Sequence, residues 1–262
     1  AATELLLTEE AGYLEAEGLE ETFRFKQADL KAAVDVSVAK KVFDLTLPTY
    51  GPYTVSYTRN GRHLAIAGRK GHVALIDAYQ KKVLTEYYLN ETTRDVAYLH
   101  NVGFHAVAQK KYVYIYDAKG TEIHAMRSHL QPRALDFLPY HFLLTSVGKG
   151  GWLKFQDTST GDLVAEHRTK LGPCEVLRHN PHNSVSTLGH VNGTVTMWTP
   201  NMNAPVAKVL AHRGTVKSLG FDLGGNYMVT TGMDARMKVW DVRKFTVVHD
   251  YFTASPGVSV DV

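Results

Sequence analysis

From about residue 53 onward, apolar and polar positions alternate in short runs, and each run stops at turn-forming residues. Residues 112–116 read Tyr-Val-Tyr-Ile-Tyr, the period of two that gives a strand two unlike faces. Five runs close alike, on Ile76-Asp77, Tyr116-Asp117, Gln156-Asp157, Trp198-Thr199 and Trp240-Asp241. The closing positions 77, 117, 157, 199 and 241 are spaced by 40, 40, 42 and 42 residues, a register that chance rarely keeps. A tight turn precedes each closing strand: Arg69-Lys70-Gly71, Gln109-Lys110-Lys111, Lys149-Gly150-Gly151, Val191-Asn192-Gly193 and Met233-Asp234-Ala235. Another apolar strand stands before each turn. An earlier turn is plainest at Asn60-Gly61 and Gly224-Gly225, pairs that supply the positive φ of a two-residue hairpin. Four antiparallel strands per unit, repeated near every forty residues around an axis, make an all-β propeller. Five such units are recognisable over residues 46–262.

Residues 1–45 do not follow the pattern and read as an N-terminal extension. Between Gln27 and Phe43 breakers are few, and Leu30, Val34, Val38 and Val42 recur every fourth position with Ala33 beside them. That spacing predicts an amphipathic helix over residues 27–43. Asp29 in its first turn and Lys40 and Lys41 in its last suit the helix dipole. The apolar stripe either packs on the protein's own propeller or lies in a partner's groove. Residues 4–21 are acidic with scattered Leu and Tyr, which suits an extended peptide ordered by its neighbours.

The repeats resemble WD40 repeats, and the fifth is the clearest copy. Ala211-His212 stands where Gly-His is usual, and Val239-Trp240-Asp241 supplies the closing Trp-Asp. The resemblance implies a hydrogen-bonded structural tetrad of His212, Thr230, Asp234 and Trp240. An imidazole held between a carboxylate and a hydroxyl satisfies polar groups that burial would otherwise penalise. The other four units lack the full set. Seven blades, the usual closure, need about 280 residues, against 217 from position 46 to 262. The expectation is a propeller with its C-terminal blade or blades outside this sequence, residues 259–262 reading as the innermost strand of a further one.

Longer strings are less generic. Residues 3–10 (Thr-Glu-Leu-Leu-Leu-Thr-Glu-Glu), 67–73 (Ala-Gly-Arg-Lys-Gly-His-Val), 106–112 (Ala-Val-Ala-Gln-Lys-Lys-Tyr), 136–141 (Asp-Phe-Leu-Pro-Tyr-His) and 188–195 (Leu-Gly-His-Val-Asn-Gly-Thr-Val) resemble one group of WD40 subunits of the eukaryotic small-subunit processome. That resemblance implies a nucleolar, non-catalytic scaffold acting with U3 small nucleolar RNA in 18S rRNA processing and small-subunit assembly. The implied partners are other processome proteins, WD40 subunits among them, and pre-18S rRNA or U3 RNA. The reading from another class is a WD40 adaptor that binds a peptide in a different nuclear complex.

Charge sharpens this picture. The net value of +3 conceals ten acidic and five basic residues in positions 1–45, and sixteen acidic and twenty-four basic residues thereafter. An acidic arm thus precedes a basic body, which favours an acidic partner such as RNA. By propeller topology, the turns after the second strand and the loops between blades share one face. Arg69, Lys70, Lys110, Lys111, Lys149 and Arg236 are placed in those turns, and Arg94, Arg133, Lys170 and Arg213 in the loops. These ten are the candidate face for a phosphate backbone or an acidic segment.

Catalytic chemistry is not expected. A lone cysteine, Cys174, excludes a disulfide framework and a Cys-rich zinc site. His179, His182 and His190 are the tightest histidine set, with no carboxylate or thiolate spaced to complete a metal site. Gly148-Lys149-Gly150-Gly151 lacks the spacing and following helix of a phosphate loop, and no Gly-x-Ser-x-Gly elbow occurs. No cofactor, metal or small-molecule substrate is therefore expected. Without a basic leader or an apolar run of ~20 residues, the chain reads as soluble and intracellular, with no membrane partner.

Overall fold

The computed structural model describes residues 18, 19, 21, 24–40, 45–253, 255, 259 and 260. The chain divides into two compact units, Ala1–Pro48 and Thr49–Val262.

In the first unit the helix expected over residues 27–43 is broken into α1 (Gln27–Ala33) and α2 (Val36–Ala39). Val34 is extended at φ −97° and ψ 161°, and Asp35, at φ −60° and ψ 151°, is the N-cap of α2. The local sequence explains the break. Residues 34–38 read Val-Asp-Val-Ser-Val; β-branched side chains lose rotamer freedom in a helix, and Asp and Ser favour caps over interiors. The predicted stripe is correspondingly discontinuous. Leu30 and Val34 are half-buried and Val38 is exposed, while Val42 lies outside the described residues.

The second unit holds five four-stranded antiparallel sheets in chain order. Blade 1 comprises β1 (Tyr53–Tyr57), β2 (His63–Gly68), β3 (His72–Asp77) and β4 (Lys82–Tyr88). Blade 2 comprises β5 (Thr93–Tyr98), β6 (Phe104–Gln109), β7 (Val113–Asp117) and β8 (Glu122–Met126). Blade 3 comprises β9 (Pro132–Leu138), β10 (Leu143–Gly148), β11 (Trp152–Asp157) and β12 (Leu163–Arg168). Blade 4 comprises β13 (Cys174–His179), β14 (Ser186–His190), β15 (Thr194–Trp198) and β16 (Ala207–Leu210). Blade 5 comprises β17 (Val216–Phe221), β18 (Tyr227–Gly232), β19 (Arg236–Asp241) and β20 (Thr246–Phe252). The first strands of successive blades are neighbours, β1 by β5, β5 by β9, β9 by β13 and β13 by β17, so they line the axis. Four of the closing positions of the sequence repeat, Asp77, Asp117, Asp157 and Asp241, end third strands, and the remaining one, Thr199, follows directly on Trp198 at the end of β15.

Each blade buries its apolar face against the next. Ala65, Val73 and Leu75 pack on Val96, Val107 and Tyr116; Ala106 and Val113 pack on Leu135, Phe137 and Leu144. Leu153 and Phe155 meet Leu177, Leu188 and Trp198, and Val195 and Met197 meet Leu219, Phe221 and Trp240. Burying such side chains contributes about 1.5–3 kcal/mol apiece and dominates the stability of the unit.

A backbone staple locks the turn after each second strand to the loop entering the next blade. The carbonyls of Gly71, Lys111, Gly151, Gly193 and Ala235 accept from the N–H groups of Leu89, Gln131, Thr169, Ala211 and Thr253 at 2.7–3.0 Å. The approach is close: a Cβ on Gly193, at φ +82°, would lie 2.0 Å from the His212 carbonyl oxygen. Ala235 holds the same place at φ +54°, a left-handed conformation that disfavours a side chain. Ala235→Gly is therefore expected to stabilise the protein by about 0.5–1 kcal/mol. A urea midpoint lower than that of the parent would refute this.

Side chains join neighbouring inner strands too. Asp95 Oδ2 on β5 accepts from the Leu135 N–H at 2.8 Å, and Asp136 Oδ2 on β9 accepts from the His179 N–H at 2.7 Å. Ser218 Oγ on β17 accepts in like manner from the Val260 N–H at 2.8 Å. Val260 thus lies beside β17, where a sixth inner strand would run.

Candidate functional site

Because each inner strand starts on the same face, that face collects the inter-blade loops and the turns after the second strands. Two rings of charge form there. The outer ring is the rim: Arg69, Lys70, Lys110, Lys111, Lys149, Lys170 and Arg213 are all exposed. Lys70 Nζ donates to the Thr49 carbonyl at 3.0 Å. Lys110, Lys111, Lys149 and Lys170 have no carboxylate partner among the described residues. The staples hold these turns by their backbones, so the side chains are left to project.

The inner ring departs from the sequence reading. Arg94 and Arg133 do not lie in inter-blade loops; each is the second residue of an inner strand. Their predecessors Thr93 and Pro132 are buried, and the period of two then turns the following side chain into the channel. The same register position holds Thr54, Glu175 and Lys217. Glu175 and Lys217 carry no motif of their own in the sequence, although counting one residue into each inner strand identifies both.

These side chains surround a cavity of about 380 Å³ at the channel mouth, together with Arg69. Arg133 Nη1 and Lys217 Nζ donate to the two oxygens of Glu175 at 2.8 and 2.9 Å. Burial works to raise the Glu175 carboxyl, but Lys217 and Arg133 outweigh it and hold it below the usual range. Arg94 Nη1 donates to the Pro132 carbonyl at 3.0 Å. Burial, then the charges of Arg133 and Arg69, push the Arg94 guanidinium below its ordinary value. Arg236 likewise departs from expectation: it is the first residue of β19, paired with Asp250 at 2.6 Å and lying 4.2 Å over the Phe252 ring. Its charge is thereby already met by a neighbouring carboxylate.

The opposite mouth is different in chemistry. Arg59 of blade 1 reaches across to Tyr140 of blade 3, donating to its hydroxyl and lying 4.7 Å over its ring. Beneath it, a cavity of about 590 Å³ is lined by Tyr57, Tyr98, Phe137 and Leu223, among others.

Inside the blades, the structure brings the four tetrad residues together. Trp240 Nε1–H donates to Thr230 Oγ1 at 3.0 Å, Thr230 pairs with His212 Nε2 at 2.8 Å, and His212 Nδ1 pairs with Asp234 Oδ1 at 2.9 Å. Two related arrays have no counterpart in the sequence reading. In blade 3, His129 bridges Ser146 and Gln156, with Gln156 where blade 5 has Trp240. In blade 4, Trp198 Nε1–H donates to Thr196 Oγ1 at 2.8 Å, and His190 joins Thr196 to Cys174. Burial pushes the Cys174 thiol up to about 12, so little of it is thiolate at neutral pH. His179 is engaged by Asp136 at 2.7 Å, and no group of His, Cys, Asp or Glu among the described residues is arranged for a metal.

The family described as "WD domain, G-beta repeat" matches residues 203–241. U3 small nucleolar RNA-associated protein 7 of Saccharomyces cerevisiae is 50% identical over 264 residues, spanning 100% of this chain and 48% of the relative. Human WD repeat-containing protein 46 is 45% identical over 243 residues, 93% of this chain and 40% of the relative. The chain thus spans half or less of these relatives' length. Among solved structures, the Cps50 (Swd1) β-propeller domain of Myceliophteria thermophila superposes with a TM-score of 0.70 at 15% identity, covering 79% of this chain and 74% of that one.

Proposed function

We propose, from the premise that this chain is a WD40-repeat β-propeller, that it is a non-catalytic scaffold subunit of the small-subunit processome. In this reading it acts in the nucleolus, in U3 small nucleolar RNA-dependent 18S rRNA processing and small-subunit assembly. The observation that carries the reading is the alignment with U3 small nucleolar RNA-associated protein 7, which runs through the acidic arm as well as the blades. A generic propeller likeness would stop at the blades.

The physical picture supports a scaffold. Five blades cemented by continuous apolar interfaces form a stiff platform. His129, His190 and His212 each bridge polar neighbours within a blade, which ties these imidazoles to its structure. Its exposed rim presents lysines that a phosphate backbone would meet without any reading of sequence. Partners on this view are pre-18S rRNA or U3 RNA on the rim and processome proteins around it.

The test is in-cell crosslinking of the full-length protein, with sequencing of the attached RNA and cofractionation with large pre-ribosomal particles. Reads concentrated in U3 RNA or 18S precursor, with nuclease-sensitive cofractionation, are expected. Background reads and a nuclease-resistant association with a smaller complex would replace the proposal with the peptide-binding adaptor.

A further inference from the structure

Two of the three tryptophans are core residues: Trp198 and Trp240 are buried and donate to Thr196 and Thr230. The third, Trp152, is 39% exposed. It is the first residue of β11, directly after the turn Lys149-Gly150-Gly151, and so belongs to the face that carries the lysine rim. The fold does not require it there. The same place is held by His72, Tyr112, Thr194 and Arg236 in the other blades, and none of these is exposed. An indole left in water forgoes the burial that makes tryptophan useful to a core. Blade 3 also has a four-stranded blade on either side, so this exposure is not that of a terminal blade.

The surroundings of Trp152 are cationic and held in place. Arg168 is its partner across β11 and β12 and lies 5.8 Å over the indole. Gly150 brings the turn close to the ring, since a Cβ there would fall 3.2 Å from Trp152 Cδ1. Backbone bonds then fix the neighbouring turns. The Lys111 carbonyl accepts from the Gln131 N–H at 2.8 Å, and the Gln131 carbonyl from the Lys149 N–H at 3.2 Å. The Gly151 carbonyl accepts from the Thr169 N–H, beside Lys170, at 2.9 Å. Lys110, Lys111, Lys149, Arg168 and Lys170 are all exposed. Half-buried Tyr112 follows Lys110-Lys111 in blade 2 as Trp152 follows its own turn, so aromatic rings and cations interleave along the rim.

We propose that Trp152 is a platform on which a base of single-stranded RNA stacks, with the flanking cations taking the phosphates on either side. The platform rests on the reading of the rim as an RNA face and adds what lysines alone do not supply. Phosphate contacts hold duplex and single strand alike. An exposed aromatic among them selects strands whose bases are unpaired, whatever their sequence. A nucleotide fits this arrangement better than an apolar protein side chain does. An apolar group laid on Trp152 would shield the nearby cations from water without offering them a counter-charge. A nucleotide brings base and phosphate together.

The full-length protein, labelled oligoadenylate and a labelled RNA duplex of equal length test the proposal by fluorescence polarisation and tryptophan emission. Trp152→Leu is expected to weaken the single strand about ten-fold and the duplex by less than about two-fold. Its salt slope should match the parent's, because no phosphate contact is lost. Trp152→Phe keeps a ring and should bind within about three-fold of the parent. A stacked base quenches indole emission, so saturating oligoadenylate should quench the parent protein, and Trp152→Phe should lose that quenching while still binding. This second readout does not depend on how well Trp152→Leu folds. Single-strand binding indifferent to Trp152→Leu, or quenching unchanged in Trp152→Phe, would overturn the platform and leave the lysine rim standing. Binding of neither RNA would remove the rim reading along with it. Polyglutamate binding that depends on Trp152, with no RNA bound, would give the surface to an acidic protein segment instead.

Discussion

Reversing Lys110, Lys111, Lys149 and Lys170 to Glu is expected to abolish RNA crosslinking while leaving the fold intact. Each lysine on a phosphate releases condensed counterions, so each lysine removed makes the salt dependence of binding shallower by roughly 0.7–0.9. Removing four should lower the slope of log K against log salt by about 3. Affinity at low salt should fall by several orders of magnitude, because the reversals also introduce four repelling charges. The fold should tolerate them for identifiable reasons. All four side chains are exposed, and the staple at Lys111 uses its backbone carbonyl, which Glu retains. Lys170 sits at φ +58°, a conformation no worse for Glu than for Lys. Purified protein and single-stranded RNA titrated across salt concentrations would decide the matter. An unchanged slope would mean that the rim is only a solvated edge.

How far this surface is legible in the sequence depends on which level of order each residue obeys. The rim lysines sit in turns, and turns are marked by Gly and Asn-Gly in the linear pattern, so their common face follows from topology. The residues at the channel mouth obey a second register, one step into each inner strand. Arg94 and Arg133 therefore read as members of loops that end a residue or two away, and Glu175 and Lys217 give no signal in the linear pattern. A similar lesson holds inside the blades. Thr230 and Trp240 stand in a well-kept repeat, and Ser146 and Gln156 lie 84 residues before them, two repeats of 42. Gln replaces Trp there and Gly150 stands where Asp234 does, so side-chain identity hides an array that position alone reveals. The helix fails for a different reason. A spacing of four specifies a face but not a helix, and the Val-Asp-Val-Ser-Val segment resists helical backbone whatever its periodicity.

Those buried arrays carry the second large effect: acidification from about pH 7.5 to about pH 5 is expected to remove about 4 kcal/mol of stability. Burial pushes His105, His129 and His190 from the ordinary 6.5 down to about 4. The unfolded chain therefore takes up three protons as the pH falls through 6.5, while the folded chain refuses them until about 4. Their stabilisation is complete above the unfolded value and is lost on the way down, at about 2 kcal/mol each by pH 5. Asp95 works in the opposite sense. Burial raises its carboxyl from 3.8 to about 6 against the Leu135 and Val96 N–H bonds, so falling pH relieves a buried charge and returns about 1.4 kcal/mol by pH 5. His179 trims the loss further. Although burial opposes it, Asp136 raises this imidazole, so its protonated form favours the folded state. The net change is measurable as a shift in urea midpoint between the two pH values. His105→Phe isolates one contributor, since His105 is fully buried and pairs with Tyr87 through Nε2. Whatever it costs in absolute stability, the variant should lose about 2 kcal/mol less on acidification than the parent protein does. Equal losses in both would show that the buried imidazoles do not set the acid limit of the propeller.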